Sequence, residues 1–415
     1  MHGDELLEQS FKSGAYFSNP FPLFSELRKN YPIFYSETLG GWVVTRFNDV
    51  SEILHNHEDY SSKGRVLHLI NKLDPQVREK LPLLQMHFAT GLAHSDAPEH
   101  KRLRSLLAQA FTPKVSEAMR PVTYEVVNRV TSKLSGTSDL ISDVFTPVPA
   151  LVVGRLLGSE ESDIPDLIRW ASAINGLYEK GGLISADKAL HAEEMLEGIR
   201  KFVMRLANER RELRDKGGLD SSRDILSGLV NAETQGDSLS ELELVSTVVT
   251  LFVAGHETTT HLLGNGMLAL LRSQSELKKI QENPELIPKA VDEMARYDGS
   301  VPRSWRITKK EMIIAGVAVP KNQLVLPLLS SANRDELEFE NPDVFDLSRD
   351  TRKHLAFGRG VHVCLGAPLA RIEGQEIIKQ LISKFPNITL NESPERLIWR
   401  KDVALRGLES LQVKL

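Results

Sequence analysis

The chain contains one cysteine in 415 residues, and it stands in the run Phe357-Gly358-Arg359-Gly360-Val361-His362-Val363-Cys364-Leu365-Gly366. Without a second cysteine there is no internal disulfide, so this sulfur is either packing or a ligating thiolate. Its surroundings leave both readings open. Gly358, Gly360 and Gly366 give the backbone access to positive φ and let a flat molecule lie close to the main chain. The stretch from Ala367 to Glu373 reads as a helix that tolerates Pro368 in its first turn. Cys364 then precedes a helix N-terminus, where amide N–H groups and the dipole are expected to lower a thiol's pKa. A thiolate in such a loop suits a soft metal, with iron held in a haem as the leading candidate.

A second chemical centre is Ala254-Gly255-His256-Glu257-Thr258-Thr259. Glutamate and histidine inside an apolar helix are costly to bury unless paired or watered. Thr258 can donate to the carbonyl of Ala254, and Gly255 with Thr258 invites a local bend. A notch of that kind has room for dioxygen, and Glu257 and Thr258 are chemically suited to pass protons through water. His256 reads as structural or pocket-lining.

Two charged patterns accompany these centres. Glu293 and Arg296 lie three apart on one helical face, the spacing of an ion pair. His100 and Arg104 share a face at i, i+4 and together could pair with an anionic group.

The elements that must hold these residues are mostly helical. Phe21–Tyr31, Pro98–Phe111, Val115–Leu134, Pro149–Leu157 and His191–Leu213 carry apolar residues at helical spacing. Ser240 and Glu243 have capping-box spacing and open a helix running to about Ser273, long enough to cross the whole core. Short strands are expected at 33–35, 42–46, 303–307, 312–314, 317–319 and 324–328. A polar loop covers 333–352, and alternation returns in 403–415.

No Gly/Ser-rich or Pro-rich linker and no repeat divides the chain, which predicts one domain over 1–415. The formal charge of −5 and the lack of a long basic run argue against nucleic acid. No basic start with an apolar region marks a signal peptide, and no apolar run approaches a membrane span. A single cysteine suits a reducing compartment, so a cytoplasmic protein is expected. No cysteine cluster and no dinucleotide glycine fingerprint is present, so any redox chemistry must draw electrons from other proteins.

The cysteine run resembles, position by position, the haem-binding loop of the cytochrome P450 family, Phe-Gly-x-Gly-x-His-x-Cys-x-Gly, and Ala254–Thr259 resembles its Ala-Gly-x-(Asp/Glu)-Thr-(Thr/Ser) motif. Glu293 and Arg296 match its Glu-x-x-Arg signature, and the resemblance extends over nearly the whole chain, closest to soluble bacterial members. It implies a mainly α fold with small β-sheets, shaped like a trigonal prism around a long central helix. It implies haem b, with Cys364 on the iron, Phe357, Gly358 and Gly366 against the macrocycle, and His100, Arg104, Arg306 and His362 on its propionates. Arg303 competes with Arg306 for that part. Thr258 would steady the oxygen bound at iron and Glu257 would gate protons. Glu293 and Arg296 would be a buried structural pair locked to the loop before the cysteine, with Arg334 or Arg349 as third partner.

The implied activity is that of a haem-thiolate monooxygenase, placing one atom of O2 in a lipophilic small molecule by hydroxylation or epoxidation, as in secondary-metabolite tailoring. Leu67, Leu69, Leu84, Met86, Leu251, Ala254, Ser300, Val301 and 403–405, including Ala404, are the expected pocket walls, with 181–190 as a cover. A ferredoxin or flavodoxin with its NAD(P)H reductase would dock near Arg359 and Arg371 on a monomer. A peroxide-driven peroxygenase is the alternative, disfavoured because such relatives replace the acid–alcohol pair kept here as Glu257-Thr258. A non-catalytic haem sensor is the other, and no attached regulatory segment supports it.

Overall fold

Helical apolar spacing dominates the sequence, and in the computed structural model it becomes helices packed around one that is itself buried. The structure describes all residues except 1–2, 109–110, 112, 178–183, 233–238, 392 and 394–395. The helices that position the site are α1 (Phe21–Asn30), α2 (Phe47–His55), α3 (Pro82–Thr90), α4 (Glu99–Ala108), α5 (Pro147–Leu157) and α6 (Ile164–Asn175). They continue with α7 (Ala186–Asp215), α8 (Glu241–Arg272), α9 (Ile287–Asp298) and α10 (Ala367–Lys384).

The central helix α8 has 32 residues and a closed capping box. The Glu243 amide donates to Ser240 Oγ at 3.2 Å, and the Ser240 amide donates back to the Glu243 carboxylate at 2.9 Å. At 1.5 Å per residue the helix is about 48 Å long, enough to run through the core. The main apolar cluster draws on residues from Val66 to Val413 and includes both α8 and α10.

The strands are short and separate, as expected. They are β1 (Ile33–Ser36), β2 (Gly41–Val44), β3 (Tyr60–Ser61), β4 (Thr137–Asp139), β5 (Arg306–Thr308), β6 (Met312–Ile314), β7 (Val317–Val319), β8 (Leu324–Pro327), β9 (Thr389–Leu390) and β10 (Gln412–Lys414). One sheet has the order β1-β2-β8-β5-β3, a second the order β4-β10-β9, and β6 pairs with β7 alone. Register puts Arg306 opposite Val325 on the neighbouring β8, which fixes where that guanidinium leaves the sheet.

Two expectations change. The helix predicted over 115–134 is two, Pro113–Ala118 and Arg120–Thr131, because Pro121 cannot continue a helix but can begin one. The strand predicted over 303–307 shrinks to 306–308, since Arg303 turns away to donate to the Val403 carbonyl at 2.6 Å.

Helix α10 buries a carboxyl as well as apolar residues. Glu373 is 1% exposed, its Oε2 has no hydrogen-bond partner among the described residues, and burial pushes its pKa from 4.5 up to about 8. The folded state therefore keeps a proton that the unfolded chain releases. Stability declines as pH rises between those two values, by at most about 1.4 kcal/mol per pH unit. In Glu373→Gln this slope disappears, so its stability relative to the parent rises from pH ~5.5 to pH ~8. Urea unfolding at the two pH values measures it, and equal slopes in both proteins would refute the assignment.

Candidate functional site

The glycine-rich run folds as a loop closed on itself by the Cys364 amide, which donates to the Phe357 carbonyl at 2.8 Å. Gly358 and Gly360 take φ of 70° and 73°. A Cβ on Gly360 would stand 2.8 Å from the Leu54 carbonyl, so this glycine lets the loop lie directly on α2. Gly366 differs from expectation: its φ is −82°, and it serves as the N-cap residue of α10.

Protein surrounds the Cys364 thiol closely enough that burial pushes its pKa up, yet the residue keeps exposed surface. Both hold if that surface faces an interior hollow. The amides of Gly366 and Ala367 donate to the sulfur, and with Arg104 and Arg371 they pull the pKa down. A helix terminus alone would lower the pKa, as its place in the sequence predicts, but removal from water outweighs that pull. A sulfur so placed becomes a thiolate when a cation coordinates it directly. Among the described residues no group of three or more His, Cys, Asp or Glu could hold a metal. A metal at Cys364 must therefore bring its other ligands with it, as iron in a macrocycle does.

The four predicted bases come together beside this hollow. The His100 and His362 rings lie 4.1 Å apart, and His100 Nε2 is buried with no partner. Arg306, buried, donates to the Trp305 carbonyl at 2.7 Å and to Ser304 Oγ at 3.4 Å. Burial lowers every one of them, Arg306 to about 10 and His362 to about 2, and mutual repulsion adds to the effect on His362. Asp96 lies near, but its carboxylate accepts from Ser61 Oγ at 2.5 Å and from the Ser62 amide at 2.9 Å. Desolvated guanidiniums without an anion are unstable alone, and the neutral imidazoles beside them each offer an N–H donor. They fit a flat group that carries its own carboxylates, and the haem propionates are such anions.

The central helix presents different chemistry on its two sides. Thr258 Oγ donates to the Ala254 carbonyl at 2.5 Å, as its spacing predicts. Ala254 is exposed although its neighbour Phe252 is buried, so α8 also borders open interior space. The helix remains continuous through Gly255, where a Cβ would meet Val153 at 3.0 Å; this glycine admits α5 rather than a notch. Glu257 points elsewhere, since successive helical residues are about 100° apart. Ser172 Oγ on α6 donates to its Oε1 at 2.8 Å, while its Oε2 is buried and unpartnered. Behind it opens a cleft of about 480 Å³ whose walls include His256, His261, Arg400 and Asp402. The cleft is polar and roomy enough for water.

Glu293 and Arg296 form a wholly buried fork, Arg296 Nε and Nη2 each donating to one carboxylate oxygen at 2.7 Å. Arg296 Nη1 also donates to the carbonyls of Asn333 and Pro342, at 2.8 and 3.0 Å, tying α9 to the loop ahead of the cysteine. Arg349 reaches Glu293 at 3.3 Å, whereas Arg334 pairs with Asp343 at 2.8 Å. The third partner is thus Arg349.

The expected pocket walls divide. Leu251, Val301 and Ala404 are half-buried and Ala254 is exposed, but Leu84 has no accessible surface. Leu84 lies behind any wall, its amide donating to the Glu193 carboxylate at 2.7 Å. Of the expected cover, 181–183 lie outside the described residues. At the proposed docking face Arg359 is exposed, but Arg371 is engaged, donating to Asp292 at 2.7 Å and covering the Phe357 ring at 4.6 Å. Ser172 and Trp305 carry no sequence signal, since neither belongs to a spaced pattern that could have flagged it; His94 ends the stretch 60–94 expected to line the pocket.

The family model for Cytochrome P450 matches residues 185–414. Cytochrome P450 107B1 of Saccharopolyspora erythraea is 35% identical, covering 91% of this chain and 89% of its own. The 6-deoxyerythronolide B hydroxylase of the same organism is 31% identical over 97% and 98%. Among solved structures, P450BioI in complex with a hexadec-9Z-enoic acid ligated acyl carrier protein superposes with a TM-score of 0.85 and 32% identity, covering 97% of this chain and all of its own.

Proposed function

Because the chain belongs to the cytochrome P450 family and is a haem-dependent monooxygenase, we propose a division of labour among its own residues, in one catalytic domain. Cys364 is the thiolate on the iron. Arg104 and Arg306 neutralise the haem carboxylates, His100 and His362 donate hydrogen bonds to them, and Phe357, Gly358 and Gly366 shape the loop against the macrocycle. When bound, the haem supplies activation of dioxygen and insertion of one oxygen atom into the substrate. The observation that carries this reading is the set of four desolvated bases without an ion-pair partner among the described residues, next to an enclosed sulfur.

Protons are the task of α8. The unpartnered Oε2 of Glu257 borders the cleft, which has room for water, so this carboxylate can take a proton from solvent and release it toward the helix. Thr258, held on the Ala254 carbonyl, presents its oxygen on the adjacent side and orders the last transfer. In Thr258→Ala the product formed per NAD(P)H consumed falls by at least about tenfold, with hydrogen peroxide accounting for the difference. An unchanged ratio removes Thr258 from this role.

The substrate in this reading is a lipophilic small molecule, framed by Leu251, Ala254, Val301 and Ala404, and the named activity of the hydroxylase relative supports a tailoring oxidation. Electrons come from a separate ferredoxin or flavodoxin and its NAD(P)H reductase, docking near Arg359. Among the described residues no helix is long and apolar enough to cross a membrane, and one unpaired cysteine suits a cytoplasmic chain. The test is expression with haem precursor, a ferrous–CO spectrum, and substrate-induced spin-state change across a lipophilic library. A colourless protein would sink the proposal.

A further inference from the structure

His94 belongs to none of the motifs above, yet like Cys364 it is enclosed by protein while keeping accessible surface. It ends the short turn Leu92–His94, ahead of α4. Its ring stacks on Trp305 at 5.7 Å and 17°, and meets Phe88 edge-on at 5.0 Å. The Arg65 guanidinium lies 4.8 Å from the centroid of the same Trp305 ring. These contacts fix the plane of the imidazole and leave its edge free. The side chain is partly accessible, and neither ring nitrogen hydrogen-bonds to a described residue. Protein encloses it nonetheless: burial, with help from His87 and Arg65, pushes its pKa down to about 3. It also lies close enough to His362 to repel its charge, which puts it at the cofactor end of the hollow.

An imidazole in this state is neutral and offers one N–H donor and one lone pair. A carboxylate gains little from it, and a bare hydrocarbon leaves it unpaired in an apolar setting. Sites built around an unpaired buried polar group reject ligands that cannot satisfy it. We propose that His94 is a specificity-determining residue, hydrogen-bonding a hydroxyl or carbonyl oxygen on an otherwise lipophilic substrate. This rests on the reading that the hollow holds haem and substrate together.

The test uses the haem-loaded full chain and iron-ligating probes, 1-alkylimidazoles of rising length and the same compounds with a terminal hydroxyl. Their binding is followed by the shift of the haem absorption. At the length that reaches His94, the hydroxylated probe binds about five- to tenfold more tightly than its plain partner. His94→Phe, which keeps the ring stack, brings the pair to equality with haem content unchanged, and His94→Gln restores part of the difference. A hydroxyl advantage that survives in His94→Phe, or none at any length, overturns the inference. Loss of haem from His94→Phe also overturns it, and assigns His94 to the propionates instead. Absence of a thiolate-type ferrous–CO band in the parent protein overturns the haem reading itself, a separate and distinguishable failure.

Discussion

Replacing Cys364 by Ser removes the thiolate-type absorption of the ferrous–CO complex and lowers turnover by at least about a hundredfold. No other cysteine can substitute for it. The surrounding loop survives the change, because it is closed by the Cys364 amide and by the positive-φ glycines rather than by sulfur. The bases His100, Arg104, Arg306 and His362 still attract the haem carboxylates, so the variant retains part of its colour. The expected result is therefore a haem protein with the wrong spectrum, separable from a misfolded one by its circular dichroism. A normal thiolate band in Cys364→Ser would exclude this sulfur as the ligand.

The largest effect on stability is expected at Arg296. Its side chain and that of Glu293 are both 0% exposed. Arg296→Met leaves the Glu293 carboxylate with the lone guanidinium of Arg349 at 3.3 Å, and leaves the carbonyls of Asn333 and Pro342 without that donor. Stripping one partner from a buried pair costs about 3–5 kcal/mol, because the remaining charge has no water to turn to. Urea unfolding of the holoprotein measures this, and haem retention falls with it because the loop ahead of Cys364 loosens. A cost under about 1 kcal/mol would mean that the fork does not lock that loop. Arg334→Met, which loses an exposed partner in Asp343 and keeps Arg349 on Glu293, is expected to cost less.

Much of this was legible in the chain itself. The capping box of α8, the Thr258-to-Ala254 hydrogen bond, the pairing of Glu293 with Arg296 and the i, i+4 placement of His100 and Arg104 depend on neighbours within four residues. Helical geometry alone fixes such contacts. The ten-residue cysteine run carried its chemistry in the same local way. Glu257 shows where locality ends: its position in the helix was readable, but Ser172 as its partner and the cleft behind it come from α6 and the C-terminal loop.

Sequence by itself determined which residues could act: one sulfur, an acid beside an alcohol, four bases and a structural fork. Only the tertiary structure decided how their surroundings set them. Packing removed water from Cys364 until burial outweighed the helix terminus, gave Glu293 to Arg349 rather than Arg334, turned Arg303 away and left Arg306 buried beside His362. It also placed His94 between Phe88 and Trp305. Desolvation and long-range contact depend on what is packed around a group, which comes from distant parts of the chain, and that information has no period or spacing to read.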